Sequence, residues 1–489
     1  MIFIFSLYIN IAYAQVDMRI GSAPLHEMRA VWLTTIGGLD WPHSYAQSEK
    51  SIEKQQNELR GILDRLQHAG INTVLIQTRI RATTIFPSSK EPWDGCLSGH
   101  PGKSPGYDAL EFAVNECHKR GMQLHAWIVT IPVGKWNGAG CKALRAKMPK
   151  LIKKIGEDGF MNPELEGTGD YLAEYCADIA KRYDVDGIHL DYIRYPETWG
   201  KICPTGPKKT QNLNKGREYI TKIVRKIYDA VKREKQWVML SCSPVGKYAD
   251  LPRQWSHGWN ARDAVAQDAA LWMNEGLMDA LFPMMYFRNE NFYPFAADWK
   301  ERSNGRIVAP GLGIYFMSPK EKNWPLVDIS REMYALRHNG MGFCFFRSKF
   351  FTDDVKGIYD FTQGEFCPYP ALVPPMTWYR QPKPDAPDNI ALRLEGETGV
   401  LSWSKGMDNS DGPYLIYNVY ASMHSPVDTK DARNLVAIGL RERELRVLRG
   451  YNYAITAVDR YGNESDAVQF KLLKPLSLPS RRGASLSAR

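Results

Sequence analysis

The sequence predicts an α/β protein, a (β/α)8 TIM barrel followed by a small all-β module. Three observations predict it. Eight strand-like segments, most separated by helical patterns, fill residues 27–365. Strands alternating with helices form parallel βαβ units, and a run of this count and size makes a barrel. Beyond residue 366 the helical pattern stops, and short alternating strands follow a proline-dense stretch. A doubly wound open sheet is the alternative. No glycine-rich phosphate turn follows the first strand, so the barrel is preferred.

The elements follow in order. EMRAVWLTT (27–35) is the first strand. In SIEKQQNELRGILDRLQHAG (51–70), Ile52, Leu59, Ile62, Leu63 and Leu66 recur at helical spacing, and Gly70 is the stop. INTVLIQTR (71–79), the helix DALEFAVNECHKRG (108–121) and MQLHAWIVT (122–130) continue the alternation. A helix over 170–183 leads to VDGIHLDYI (185–193), and REYITKIVRKIYDAVKREK (217–235) leads to WVMLSCSPV (237–245). A helix near 262–274 precedes MDALFPMMY (278–286). RIVAPGLGIYF (306–316), the helix ISREMYALRHNG (329–340) and MGFCFFRS (341–348) complete the run.

The ends of the chain read differently. Residues 1–14 are apolar and finish in Ala12-Tyr13-Ala14, an A-x-A cleavage pattern, so a signal peptide and an exported protein are expected. No later stretch is apolar for long enough to cross a bilayer. Residues 366–384 read as a stiff proline-rich linker and 474–489 as a disordered basic tail. NIALRLEGETGVLSWSK, YLIYNVYAS, NLVAIGL and YNYAITAVDRYGNES, within 385–473, resemble a fibronectin type III domain. Trp403 matches that family's early core tryptophan and Tyr453 its later core tyrosine.

Composition narrows the function. The net charge of +9 arises from 63 basic and 54 acidic residues, a mixed solvated surface with room for anionic glycans. No Lys/Arg-rich block interleaved with aromatics points to nucleic acid. The cysteines, at 96, 117, 141, 176, 203, 242, 344 and 367, form no C-x-x-C pair, so a zinc site of that type is not supported. Export would permit disulfides among them, and several suit a core as free thiols. No cofactor motif is present.

Strand parity then locates a site. Alternate residues of a barrel strand face the interior, and barrel active sites lie at the carboxyl ends of the strands. Gln77 and Arg79, His125 and Trp127, His189 and Asp191, and Ser241 and Ser243 each share one parity, with Tyr286 and Tyr315 closing two later strands. Asp191 either serves a buried pair with Arg79, Arg194 or His189, or is a catalytic carboxylate. The convergence favours catalysis, with attack on or stabilisation of an anomeric centre. Glycoside hydrolysis uses two carboxyl groups. Glu290 and Glu197 lie nearest their strand ends as the second, ahead of Asp94, Glu164, Glu166, Asp250 and Asp353. His125, His189 and Asp191 as metal ligands are disfavoured, because the first strand has no H-x-H pair. No G-x-S-x-G elbow surrounds Ser241 or Ser243, which argues against an esterase.

EMRAVWLTT with Asp40-Trp41-Pro42, VLIQTR, HKRGMQLHAW, MNPEL and YDVDGIHLDYIRYP resemble the glycosyl hydrolase-like family 10 over most of residues 27–350. The resemblance implies a TIM-barrel glycosidase domain in an exported bacterial protein, acting on a cell-envelope or other polysaccharide. It places Gln77, Arg79, His125, Trp127, Asn162, His189, Asp191 and Tyr286 at the family's site-lining positions. Ile193 stands where a chitinase would carry its acid. The expected function is glycoside hydrolysis, with a non-catalytic carbohydrate-binding protein as the alternative.

Overall fold

The computed structural model describes residues 23–201, 207–252, 254, 258–406 and 412–471. The expected leader (1–14), the basic tail (474–489) and Cys203 lie outside the described residues. The chain divides into two units. One runs through Gln381 and includes Arg460–Gly462; the other comprises Pro382–Asp459 and resumes at Asn463.

The first unit alternates strand and helix. Its elements are β1 (Arg29–Leu33), α1 (Glu49–His68), β2 (Thr73–Arg79), α2 (Ala109–His118) and β3 (Gln123–Val129). After an insertion come α3 (Glu166–Arg182), then the strand Gly187–Asp191, the helix Pro207–Glu234 and the strand Met239–Cys242. The insertion holds β4 (Pro132–Lys135), β5 (Ile152–Ile155) and β6 (Asp158–Met161), so the two later strands are β7 and β8, and the helix is α4. The run ends with α5 (Ala269–Asn274), β9 (Ala280–Leu281), α6 (Tyr293–Glu301), β10 (Ile307–Val308), β11 (Gly311–Leu312), α7 (Leu326–His338) and β12 (Phe343–Phe345).

Helix α1 shows why these elements form where they do. Ser48 caps it, with Ser51 completing a reciprocal capping box. Leu59, Leu63 and Leu66 bury one face. Gly70 then takes φ +76°, and a Cβ there would lie 3.1 Å from that of Cys367.

The parallel sheet has the order β10-β9-β8-β7-β3-β2-β1-β12-β11 and is curled. Its two end strands are consecutive pieces of one segment, parted by Ala309 and Pro310. Ala309 N–H donates to Leu281 and Gly311 N–H to Pro283 on one side; Pro310 and Leu312 carbonyls accept from Cys344 and Phe346 on the other. Pro310 has no N–H, which splits the expected seventh strand, and Pro283 shortens the sixth in the same way.

Parity sorts the side chains into two clusters. Val74, Ile76, Leu124, Ala126, Ile128, Ile188 and Leu190 pack with the helices. Ala30, Trp32, Leu75, Trp127, Val129, Met239 and Phe282 pack together inside the curl.

A repeated device fastens the amino ends of the strands. Asn72 Oδ1 accepts the N–H of Arg29 (3.0 Å), Asp186 Oδ2 that of Leu124 (2.8 Å) and Asp279 Oδ2 that of Leu240 (2.8 Å). Each satisfies a backbone donor where the ladder begins. Burial opposes ionisation of Asp186, but His118 and Arg460 outweigh it and hold its carboxyl well below the carboxylate range.

The stretch between β3 and α3, to which the sequence assigns no element, holds the insertion β4–β6, a small antiparallel sheet in the order β4-β6-β5. One expectation is corrected. The linker expected at 366–384 belongs to the first unit as far as Gln381. Its prolines stiffen it, but the residues between them are apolar, and Phe366, Ala371, Leu372 and Met376 are buried. Glu27 N–H donates to Leu372 (3.0 Å), and Asp279 Oδ1 accepts from Trp378 Nε1 (2.9 Å) and the Tyr379 hydroxyl (3.0 Å).

Asp279 also accepts from the buried Lys232 ammonium at 2.7 Å. Asp279→Ala therefore strands a buried cation, and a loss of about 3–5 kcal/mol is expected. Urea unfolding checks it. A shift under about 0.5 kcal/mol, the range of surface changes, would contradict the buried pairing.

The second unit holds two antiparallel sheets and no α-helix among its described residues. One has the order β13-β14-β17 and the other β16-β15-β18-β19. These are β13 (Asp388–Glu395), β14 (Thr398–Ser404), β15 (Ile416–Ser422), β16 (Leu435–Leu440), β17 (Glu444–Leu448), β18 (Asn452–Val458) and β19 (Val468–Phe470). Leu401, Trp403, Tyr417, Val419, Tyr453 and Ile455 form its core.

Candidate active site

The interior of the parallel sheet is stacked in levels by strand register. His125 lies beside Gly187, Trp127 beside His189, and Val129 beside Asp191. Successive levels are about 7 Å apart along the strands.

The lowest level is packing. A Cβ on Gly187 would sit 2.7 Å from the His125 ring, so only glycine leaves room for it. His125 is fully buried, its Nε2 meets Gln123 Oε1 (3.2 Å), and burial drives its pKa down to about 4.

The middle level is also core. Trp32 Nε1–H donates to His189 Nε2 at 3.2 Å. Indole nitrogen can only donate, so the proton of His189 is on Nδ1 and points to Ser241 Oγ (3.0 Å). Phe282 meets the imidazole edge-on at 5.3 Å. Burial holds the His189 pKa well below its ordinary value. The expected roles of His125 and His189 in substrate binding are corrected: both are neutral core residues beneath the site. They stand on different levels from Asp191, so the three do not meet at one ion.

Both histidines make folding acid-sensitive. Their folded pKa values are depressed, so between pH 6.5 and about 4 the unfolded chain binds protons that the folded chain refuses. Stability is present above 6.5 and falls as pH falls through that window. His125 alone is expected to lose roughly 2 kcal/mol by pH 5. Urea midpoints at pH 7 and pH 5 measure it, and His125→Gln should flatten the slope. Equal midpoints in the unsubstituted chain would contradict it.

The top level is chemical. Asp191 ends β7 and is 6% exposed. Its Oδ2 accepts from Trp127 Nε1 (3.0 Å); its Oδ1 accepts from Ser243 Oγ (2.9 Å) and the N–H of Tyr192 (2.8 Å). Burial raises the carboxyl above its ordinary pKa, and the Ser243 and Trp127 donors and the charge of Arg194 pull against that rise. A carboxylate fixed through both oxygens, short of water and facing the carboxyl end of the sheet, can stabilise positive charge developing above it.

Aromatic rings gather beside it. The Asp191 charge reaches Tyr286, whose phenol is raised mainly by burial. Tyr286 packs on Tyr315 (5.7 Å) and Phe346 (5.3 Å). Burial raises Tyr315 to about 12. Trp127 and Ser243 thus bond Asp191, Tyr286 lies within reach of its charge, and Tyr315 packs on Tyr286.

Other expected site residues do different work. Arg79 is corrected outright. A register shift after Gln77 turns it away, and it is buried against Glu91, with bonds of 2.8 and 2.9 Å from Nε and 2.6 Å from Nη2. Its Nη1 donates to the carbonyls of Val129 and Thr130. Gln77 Oε1 accepts the N–H groups of Thr35 (3.1 Å) and Ile36 (2.9 Å) and so orders the loop after β1. Asn162 caps the approach to α3: Oδ1 accepts from Glu164 N–H (3.1 Å), and its carbonyl from Thr168 Oγ1 (2.6 Å).

Of the candidates for a second carboxylate, Glu197 is paired with an arginine. Glu197 accepts from Arg194 Nη2 at 2.8 Å. Partial burial would raise its pKa, but the Arg194 charge and bonds outweigh it and keep the group ionised. Glu290 is exposed on a short 3-10 turn (Asn289–Asn291). Asp94 caps a turn through the N–H of Cys96, Glu166 pairs with Lys226, and Asp353 pairs with Lys349.

Sequence reasoning missed Trp32, Phe346 and Glu91, and the bond from the Tyr192 N–H to Asp191. Trp32 was available from parity, because it shares the inward face of β1 with Ala30. Glu91 lies in an irregular loop and gave no periodic signal. Seven cysteines, 96, 117, 141, 176, 242, 344 and 367, are free and buried.

The model of the family described as Glycosyl hydrolase-like 10 matches residues 27–310. The chain is 26% identical over 505 residues to Glycosyl hydrolase YngK of Bacillus subtilis (strain 168), covering 95% of this chain and 97% of that protein. It is 28% identical over 306 residues to Glycosyl hydrolase DigH of Escherichia coli (strain K12), covering 56% of this chain and 69% of that one. The PgaB (BpsB) glycoside hydrolase domain from Bordetella bronchiseptica superposes with a TM-score of 0.48 at 13% identity, covering 70% of this chain and 99% of that domain.

Proposed function

We propose, from the premise that the chain belongs to the glycosyl hydrolase-like 10 family, that it hydrolyses glycosidic bonds of a bacterial cell-envelope or other polysaccharide. The observation that carries the reading is Asp191, buried at the end of β7 and held through both oxygens by Trp127, Ser243 and the N–H of Tyr192. In glycoside hydrolysis the anomeric carbon gains positive charge as the leaving oxygen is protonated. Asp191 in its ionised form stabilises that charge or attacks the carbon. Glu290 is the proposed proton donor. Glu197, kept ionised by Arg194, acts through that arginine and not as an acid. Tyr286 and Tyr315 form one wall of the sugar site.

The seventh strand, bonded to both neighbours, supports a closed (β/α)8 barrel beneath this site. For the second unit we propose a fibronectin type III fold. The two sheet orders support it, as does Tyr453, whose hydroxyl donates back to the carbonyl of Leu448 in the manner of a tyrosine corner. The leader read at residues 1–14 supports export.

A second reading is a carbohydrate-binding protein without turnover. It is favoured by the tie between Glu197 and Arg194, which removes one candidate acid. Product analysis on a panel of polysaccharides, including peptide-free peptidoglycan strands, separates the two. New reducing ends from the unsubstituted chain and none from Asp191→Asn support hydrolysis. Binding without new reducing ends supports the second reading.

A further inference from the structure

Two solvent-facing rings share one buried cation next to Asp191. Arg194 is 3% exposed, and its guanidinium lies 4.6 Å from the Tyr192 ring centre and 5.3 Å from that of Trp259. Tyr192 is 37% exposed and Trp259 46%. Trp259 is the only exposed tryptophan among the described residues. Rings needed only to cover an arginine would be buried with it. These keep more than a third of their surface in water, around an arginine whose charge acts on Asp191.

The backbone keeps one of them there. Tyr192 has φ +53°, a left-handed conformation rare outside glycine, asparagine and aspartate. Asp191 Oδ1 accepts its N–H (2.8 Å), and its carbonyl accepts the N–H of Arg194 (2.8 Å). Residues held in such conformations gather at ligand sites. Arg194 is tied down in turn by Glu197 (2.8 Å) and the carbonyl of Tyr195 (3.2 Å), while its buried Nε has no partner. The Tyr192 backbone and the Arg194 guanidinium that both rings flank are therefore fixed before anything binds, which lowers the entropy lost on binding. Exposed tyrosine and tryptophan, rigid and apolar in the body, are the side chains that most often anchor a partner.

We infer that Tyr192 and Trp259, braced by Arg194, form an aromatic subsite that stacks on the apolar face of a pyranose ring one or more sugars away from the bond at Asp191. This rests on the glycan reading of the same site. It adds a chain-length preference: a long oligosaccharide is expected to bind better than a disaccharide.

The test uses the full chain and three probes: the hexamer and the dimer of β-1,4-linked N-acetylglucosamine, and peptide-free peptidoglycan glycan strands. Calorimetry in the Asp191→Asn background gives Kd. Adding Trp259→Ala should weaken the hexamer or the strands by about tenfold or more, with Trp259→Phe restoring most of the loss. In the active chain the same substitution should raise KM and leave kcat within about twofold, as expected when uniform binding is lost. An unchanged Kd for Trp259→Ala, or no binding of any probe, overturns the subsite. If Asp191→Asn abolishes turnover while Trp259→Ala changes nothing, hydrolysis stands and the subsite falls. If no probe is cleaved but Trp259→Ala still weakens binding, the subsite stands and hydrolysis falls.

Discussion

Asp191→Asn is expected to lower kcat on a cleaved glycan by roughly three orders of magnitude. The fold should survive. The amide keeps Oδ1 for Ser243 and the N–H of Tyr192, and puts a donor opposite Trp127 Nε1. That unsatisfied pair costs about 1–3 kcal/mol, and loss of a poorly solvated charge offsets part of it. Initial rates together with a thermal midpoint separate the terms. A variant that folds and turns over at the unsubstituted rate would remove Asp191 from the chemistry. Because burial raises the Asp191 pKa, the acid limb of the rate profile should lie above the ordinary aspartate range. The sign follows from the ionised form being the active one: rate is lost as pH falls through the raised pKa.

Glu91→Ala is expected to destabilise the first unit by about 3–5 kcal/mol. Arg79 and Glu91 are both fully buried, and Tyr171 donates its hydroxyl to Glu91 at 2.9 Å. Removing the carboxylate leaves a guanidinium in a dry site, with only the carbonyls of Val129 and Thr130 to hold it. Such a loss is a large share of the stability of an ordinary domain. Replacing both partners with apolar residues, Arg79→Met with Glu91→Leu, should recover more than half of it. Urea unfolding of the single and double variants gives the comparison. Arg79→Ala with an unchanged midpoint and a raised KM would instead return Arg79 to the substrate site.

Arg79 also shows where sequence reading stops. The period of two along VLIQTR placed Val74 and Ile76 on the helix side and Gln77 inward, and the structure agrees. One extra residue at Thr78 then shifts the register, so Gln77 pairs with Trp127 but Arg79 with Ile128. A bulge is a two-strand property and leaves no mark in one strand's pattern. Strands β3 and β7 have no such shift between them, and there parity brought Trp127 and Asp191 together correctly. Parity gave facing but not depth. His189 faces inward as expected, yet it lies one level too low, where Trp32 and Ser241 already use both its nitrogens. The insertion β4–β6 was illegible for another reason. Its strands have four residues each, too few to show a period among lysines and glycines. After residue 366 the prolines give the pattern of an exposed linker, while Phe366 before them and Ala371, Leu372 and Met376 between them bury it.

The break at Pro310 bears on how copies of this chain behave in a crowd. A sheet with a free border offers unpaired donors and acceptors to any neighbour, and that is a common route to aggregation. Here the two pieces Ile307–Val308 and Gly311–Leu312 are each bonded on both sides, the first to β9 and the loop before β12, the second to the loop after β9 and to β12. The residue that interrupts the strand thus costs the parallel sheet one donor, while the two pieces that it separates keep bonded neighbours on either side and offer little to a second molecule.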